Sequence, residues 1–146
     1  MTRSIVVVAL FLTCLTTKLF GQKLEAMPLD EIKEVIQLAV DLPALQQFYH
    51  VDVDTSRIPL KIKRFGVINA ETLQGVEKFG QPIQVLDEET LRLNGTRAYL
   101  TIGYWTYLRN NLRLQLSYRI EGITISYIFH KQDGKWTVAK SVIHEN

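Results

Sequence analysis

The sequence predicts an α+β fold, with an N-terminal amphipathic helix packed on a curved antiparallel sheet meander of about five to six strands. Three observations carry this. Apolar residues recur at helical spacing from Leu29 to Val40 and alternate at strand spacing from Leu112 to Phe129, while Glu121-Gly122 and Asp133-Gly134 supply turn signals between the alternating runs.

The chain opens with Arg3, an apolar run from Ile5 to Leu12, and a short stretch ending in Phe20-Gly21. A basic start, an apolar run too short to span a bilayer and a small residue at the cut describe a secretory signal peptide over residues 1–21. Leu19-Phe20-Gly21-Gln22 resembles the leader ends of exported bacterial proteins, which implies a periplasmic or secreted product. Cys14 fits a lipidation motif poorly, because Thr13 stands where a small Gly or Ala is wanted. Residues 22–146 then form a single domain with no integral membrane segment. Loss of the leader removes the only cysteine, so disulfides, thiolate metal sites and cysteine nucleophiles are excluded together.

Removing Arg3 and Lys18 from the 17 basic residues leaves 15 against 15 acidic ones. A neutral domain has no bulk attraction to nucleic acid, and none is expected as a partner. The segment from Gln22 to Leu60 is acidic and the remainder basic, which suits an acidic helix lying against a basic sheet. Asn94-Gly95-Thr96 matches a glycosylation sequon that matters only in a eukaryotic secretory route.

Leu29, Ile32, Val35, Ile36, Ala39 and Val40 define the helix, with Pro28, Asp30 and Glu31 as first-turn signals. Pro43 ends it, and Ala44 to His50 reads as a second short helical turn. Alternation from Ile58 to Val67 predicts a strand, residues 70–78 a short helix capped by Asn69, and residues 83–93 a further strand. For the hairpin, a two-residue turn at Glu121-Gly122 pairs Tyr118 with Ile125, Leu116 with Tyr127 and Leu114 with Phe129, placing the apolar residues on one face. A last strand runs from Trp136 to Ile143.

The strand from Arg97 to Leu108 admits two registers. A three-residue loop at Arg109-Asn110-Asn111 pairs Tyr104 with Leu116 and Ile102 with Tyr118. It sends Tyr99, Trp105 and Tyr107 to the polar face beside Arg113, Gln115, Arg119 and His130. A two-residue loop exchanges the two sets, and the first is preferred because it segregates apolar from polar residues better.

A helix followed by a long antiparallel meander resembles the cone-shaped nuclear transport factor two-like and cystatin-like folds. The most specific local piece is Asp133-Gly134-Lys135-Trp136-Thr137-Val138-Ala139, which is similar to their terminal hairpin. The resemblance implies a fold and no catalytic residue, since such domains serve as enzymes, ligand binders and interaction modules.

Candidate chemistry is sparse. His50, Asp52 and Asp54 would share one face of an extended strand, although no other residue is spaced to complete a metal or base site. Neither nucleophile elbow nor phosphate loop occurs, and no cofactor is called for. Tyr104, Tyr118 and Tyr127 would ring an inner cavity, but no inward aspartate accompanies them as the base of an isomerase or hydrolase. The outward set Tyr99, Trp105, Tyr107, Arg113, Gln115 and Arg119 is the strongest candidate, because aromatic rings beside guanidinium and amide groups suit recognition. The expected function is a non-catalytic binding module that engages a protein partner or a second copy of itself. The alternatives are a carbohydrate-binding accessory protein and a small enzyme.

Overall fold

In helix α1 (Leu29–Val40), Asp30 and Glu31 occupy the first turn, where the helix dipole favours negative charge, and Ile32, Val35, Ile36, Ala39 and Val40 form the buried stripe. Burial of each of the larger aliphatic side chains in that stripe contributes about 1.5–3 kcal/mol. Leu29, expected on the stripe, is 56% exposed. The computed structural model describes residues 26–146, and the expected leader, with Cys14, lies outside them. The helix therefore stands behind an N-terminal stretch rather than at the start of the chain.

Pro43 redirects the chain into a 3-10 helix at Pro43–Phe48, and a second follows at Thr55–Arg57. Strand β1 (Lys61–Lys63) keeps only the middle of the expected strand. Of the residues 70–78 expected as a helix, 70–75 form turns instead. Asn69 caps them, its side chain accepting from the Thr72 amide at 2.9 Å while its own amide donates to the Thr72 hydroxyl at 2.9 Å, and Gly75 at φ 92° ends the turn. A two-stranded ribbon of β2 (Glu77–Lys78) and β3 (Gln81–Pro82) follows, then β4 (Gln84–Leu86). The second half of the strand expected over residues 83–93 is helix α2 (Glu88–Leu93). Asp87 caps it by accepting from the Thr90 amide at 2.7 Å.

The remaining strands are β5 (Leu100–Leu108), β6 (Asn111–Tyr118), β7 (Ile123–Gln132) and β8 (Lys135–Glu145). They complete a six-stranded sheet in the order β4-β1-β5-β6-β7-β8. It is mixed, which corrects the expectation of a wholly antiparallel meander: β1 runs parallel to both β4 and β5, and only β5 to β8 are antiparallel.

Helix α1 lies on one face of this sheet, and its end is bound by Tyr127 of that face and by Tyr49 of the segment after the helix. The Tyr127 hydroxyl donates to the Ala39 carbonyl at 2.8 Å, and the Tyr49 hydroxyl donates to the Val40 carbonyl at 2.9 Å. Burial raises both phenols above their ordinary range, so they stay protonated as donors. At the other end of the helix, Glu31 accepts from the Lys131 ammonium at 2.5 Å and the Trp136 indole at 2.8 Å. Glu34 accepts from the Trp136 backbone amide at 3.0 Å, occupying a donor of the sheet's edge strand.

Candidate functional site

The hairpin registers decide which side chains share a surface. Tyr118 pairs with Ile123, Leu116 with Ile125, Leu114 with Tyr127 and Leu112 with Phe129, a shift of two residues from the expected pairing. The connection is a 3-10 turn at Arg119–Glu121 closed by Gly122 at φ 65°, so Ile120 leaves the strand. Parity survives the shift, and these eight residues are all buried on the helix-facing side.

Between β5 and β6 the loop holds two residues, with Arg109 at φ 55° and Leu108 opposite Asn111. A bulge between Ile102 and Tyr104 then changes the parity of β5. Leu100 and Ile102 face the helix on one side of the bulge, and Trp105 and Tyr107 face it on the other, opposite Leu114 and Leu112. The expectation that Trp105 and Tyr107 point outward is thereby corrected. The bulge lets both parities reach the apolar face, an outcome that an unbroken strand forbids.

The six candidate residues separate into three places. Trp105 and Tyr107 line an apolar pocket of about 480 Å³ with Met27, Ile32 and Val67, and Tyr107 lies 6.2 Å from Trp136 between ring centroids. Tyr99 and Arg119 line a shallow cavity of about 300 Å³ at the opposite end of β5. Arg113 and Gln115 remain on the outer sheet face, which also carries Tyr104, Ile128, Lys140 and Val142.

That outer face is built in two adjacent rows. Thr106, Arg113, Ile128 and Lys140 follow one another across β5 to β8, and Tyr104, Gln115, Ser126 and Val142 form the next row. Tyr104 is 38% exposed, Ile128 38% and Val142 37%, and with Arg113, Lys140 and His144 they line a depression of about 320 Å³. Among the described residues no outward side chain of β6, β7 or β8 is a carboxylate, and neither Arg113 nor Lys140 has an ion-pair partner. His130 stands opposite Thr137 on this face, as expected, with its Nδ1 3.1 Å from the Asn111 side-chain oxygen.

The His50 to Asp54 segment is a turn rather than an extended strand, with His50 at φ 48°. His50 and Asp54 therefore serve different partners. His50 Nε2 lies 3.3 Å from Glu121, and Glu121 also pairs with Arg57. Asp54 accepts from the Ser56 hydroxyl at 2.6 Å and lies 3.4 Å from Arg57 Nε. These hydrogen bonds, that from Ser56 foremost, hold its carboxyl below the ordinary value. Asp52 is exposed. The cluster joins the turn after Tyr49 to the β6–β7 connection, and its carboxylates are already partnered. Among the described residues no group of three His, Cys, Asp or Glu is placed to hold a metal ion, and no helix is long and apolar enough to cross a membrane.

No family model matches the chain, and neither a curated protein nor a solved structure matches it significantly.

Proposed function

We propose that the chain is an exported, non-catalytic binding module whose outer sheet face docks an acidic protein partner. The observation that carries this is the composition of that face: Tyr104, Ile128 and Val142 stand exposed around Arg113 and Lys140 with no outward carboxylate on β6, β7 or β8 among the described residues. Aromatic and aliphatic anchors beside a guanidinium match the composition of interface centres. Cations without acidic neighbours favour a partner that brings the carboxylates. A second copy docked face to face would set Arg113 and Lys140 of each copy in a field of the same sign, which weighs against self-association through this face. The leader motif supports export, and a helix packed on the antiparallel β5–β8 run supports kinship with the cone-shaped folds.

Two features weigh against the enzyme reading. The inner hydroxyls of Tyr49 and Tyr127 are spent on the end of α1, and among the described residues the apolar pocket beside Trp105 has no carboxylate or histidine in its wall.

The test is a photo-crosslinking amino acid placed at Tyr104 in the protein expressed in its own host, with Glu89 on α2 as the control position. A discrete adduct from position 104, lost when Arg113→Glu is added, is the expected result. An adduct of two copies of the chain makes the face a self-association surface instead. No adduct above that of position 89 overturns the proposal.

A further inference from the structure

The end of the sheet where β5 begins carries a second surface, separate from the outer face. A cavity of about 460 Å³ is lined by Ser56, Lys61, Asn94, Thr96 and Arg97, and it shares Thr96, Arg97 and Ile120 with the cavity of about 300 Å³ that holds Tyr99 and Arg119. The two adjoin along these three residues, giving a groove of two parts. Its shape is set by α2 and the turn after it. Gly95, at φ 61°, lets the Thr96 amide return to the Leu91 carbonyl at 2.9 Å, which ends the helix and leads residues 94–98 along the groove.

The charge of the groove is unbalanced. Lys61, Arg97 and Arg119 have no ion-pair partner among the described residues. Lys61 donates only to backbone carbonyls, those of Pro59 at 3.0 Å and Ser56 at 3.3 Å. Desolvation lowers its ammonium below the ordinary value, an effect the charge of Asp54 opposes. Among the described residues Asp54 is the one carboxylate in the lining, and its oxygens are engaged by Ser56 and Arg57.

We propose that this groove binds an acidic oligosaccharide, with carboxylate or sulfate groups facing Lys61, Arg97 and Arg119 and a sugar ring lying on Tyr99. The cations are spread along a groove rather than gathered around one point, which suits a ligand bearing several separated anionic groups. The hydroxyls of Ser56 and Thr96 and the amide of Asn94 suit sugar hydroxyls, which both donate and accept. Aromatic rings offer the apolar faces of sugars a flat apolar surface, and Tyr99 supplies one. A nucleic acid strand would call for several stacking rings along its path, and this groove has one.

Calorimetric titration with three probes tests the assignment: trigalacturonate, a sulfated carrageenan tetrasaccharide and neutral xylohexaose. Saturable binding of at least one acidic probe and none of xylohexaose is expected. Arg97→Gln and Arg119→Gln, both on exposed side chains, should each weaken binding by about tenfold with an unchanged melting temperature. Tyr99→Ala should weaken it without altering the salt dependence. The proposal is overturned if neither acidic sugar binds, if the arginine variants bind as tightly as the parent, or if hexaglutamate or inorganic sulfate binds as tightly as the sugars. Tyr104→Ala, on the outer face, leaves sugar binding intact, so this result stands or falls apart from the partner proposed for that face.

Discussion

The Tyr127 hydroxyl donates to the Ala39 carbonyl at 2.8 Å, joining β7 to the last turn of α1 across 88 residues of chain. The last carbonyls of a helix have no partner within it, and here Tyr127 supplies a donor from the core face of the sheet. The neighbouring Val40 carbonyl is served twice, by the Tyr49 hydroxyl at 2.9 Å and the Gln46 side-chain amide at 3.1 Å.

This difference sets an order among two conservative variants. Tyr127→Phe removes the short hydrogen bond to the Ala39 carbonyl and leaves it only the longer one from the Leu42 amide at 3.4 Å, which should cost about 1–3 kcal/mol. Tyr49→Phe leaves Gln46 in place and should cost less, about 0.5–1.5 kcal/mol. Urea unfolding of both proteins checks the order, and an equal or reversed loss means that the hydroxyls do not hold the helix end.

The polarity pattern revealed the layers of this fold more readily than its registers. The stripe of α1 and the apolar parity of β6 and β7 were legible because burial on one face enforces them whatever the turn. The register was not legible, since Ile120 has the right parity for β6 but leaves the strand in a 3-10 turn. Gly103 was the available sign of the β5 bulge, a glycine inside a strand that reads otherwise as continuous. Arg109 at φ 55° closes the β5–β6 loop from a residue type that carries no turn signal. In α2, by contrast, Asp87 followed by Glu88 and Glu89 was a readable helix start. Of the candidate site, Arg113 and Gln115 lie on the outer face as the alternation implies, and Tyr104 joins them because the β5–β6 loop holds two residues where three were expected.

The alternation of β5 predicts opposite behaviour for the adjacent Tyr104 and Trp105. Trp105 packs against the core beside Met27 and Ile32, so Trp105→Ala should lower stability by about 2 kcal/mol and leave partner crosslinking through the outer face unchanged. Tyr104→Ala should leave the melting temperature nearly unchanged and abolish partner binding. The comparison requires both readouts on both variants. If Trp105→Ala alone removes partner binding at unchanged stability, the aromatic side chains act on the opposite faces from those described.

Part of the acid sensitivity should originate in α2, alongside that from Asp54 beside Ser56. The Thr90 amide, followed by the Thr90 side chain, holds the Asp87 carboxyl below its ordinary value of 3.8. A carboxyl lowered in the folded state contributes stability that is fully present above the unfolded value and is lost as pH falls through the lower folded value. Glu88 behaves in the same sense through its hydrogen bond from Lys63 at 2.9 Å. Unfolding free energy should therefore fall on acidification below about pH 4, and Asp87→Asn should flatten that limb while leaving neutral stability close to the parent, because Asn also caps helices. Urea midpoints taken from pH 7 down to pH 2.5 measure it, and parallel pH profiles for parent and variant would show that this cap does not titrate with folding.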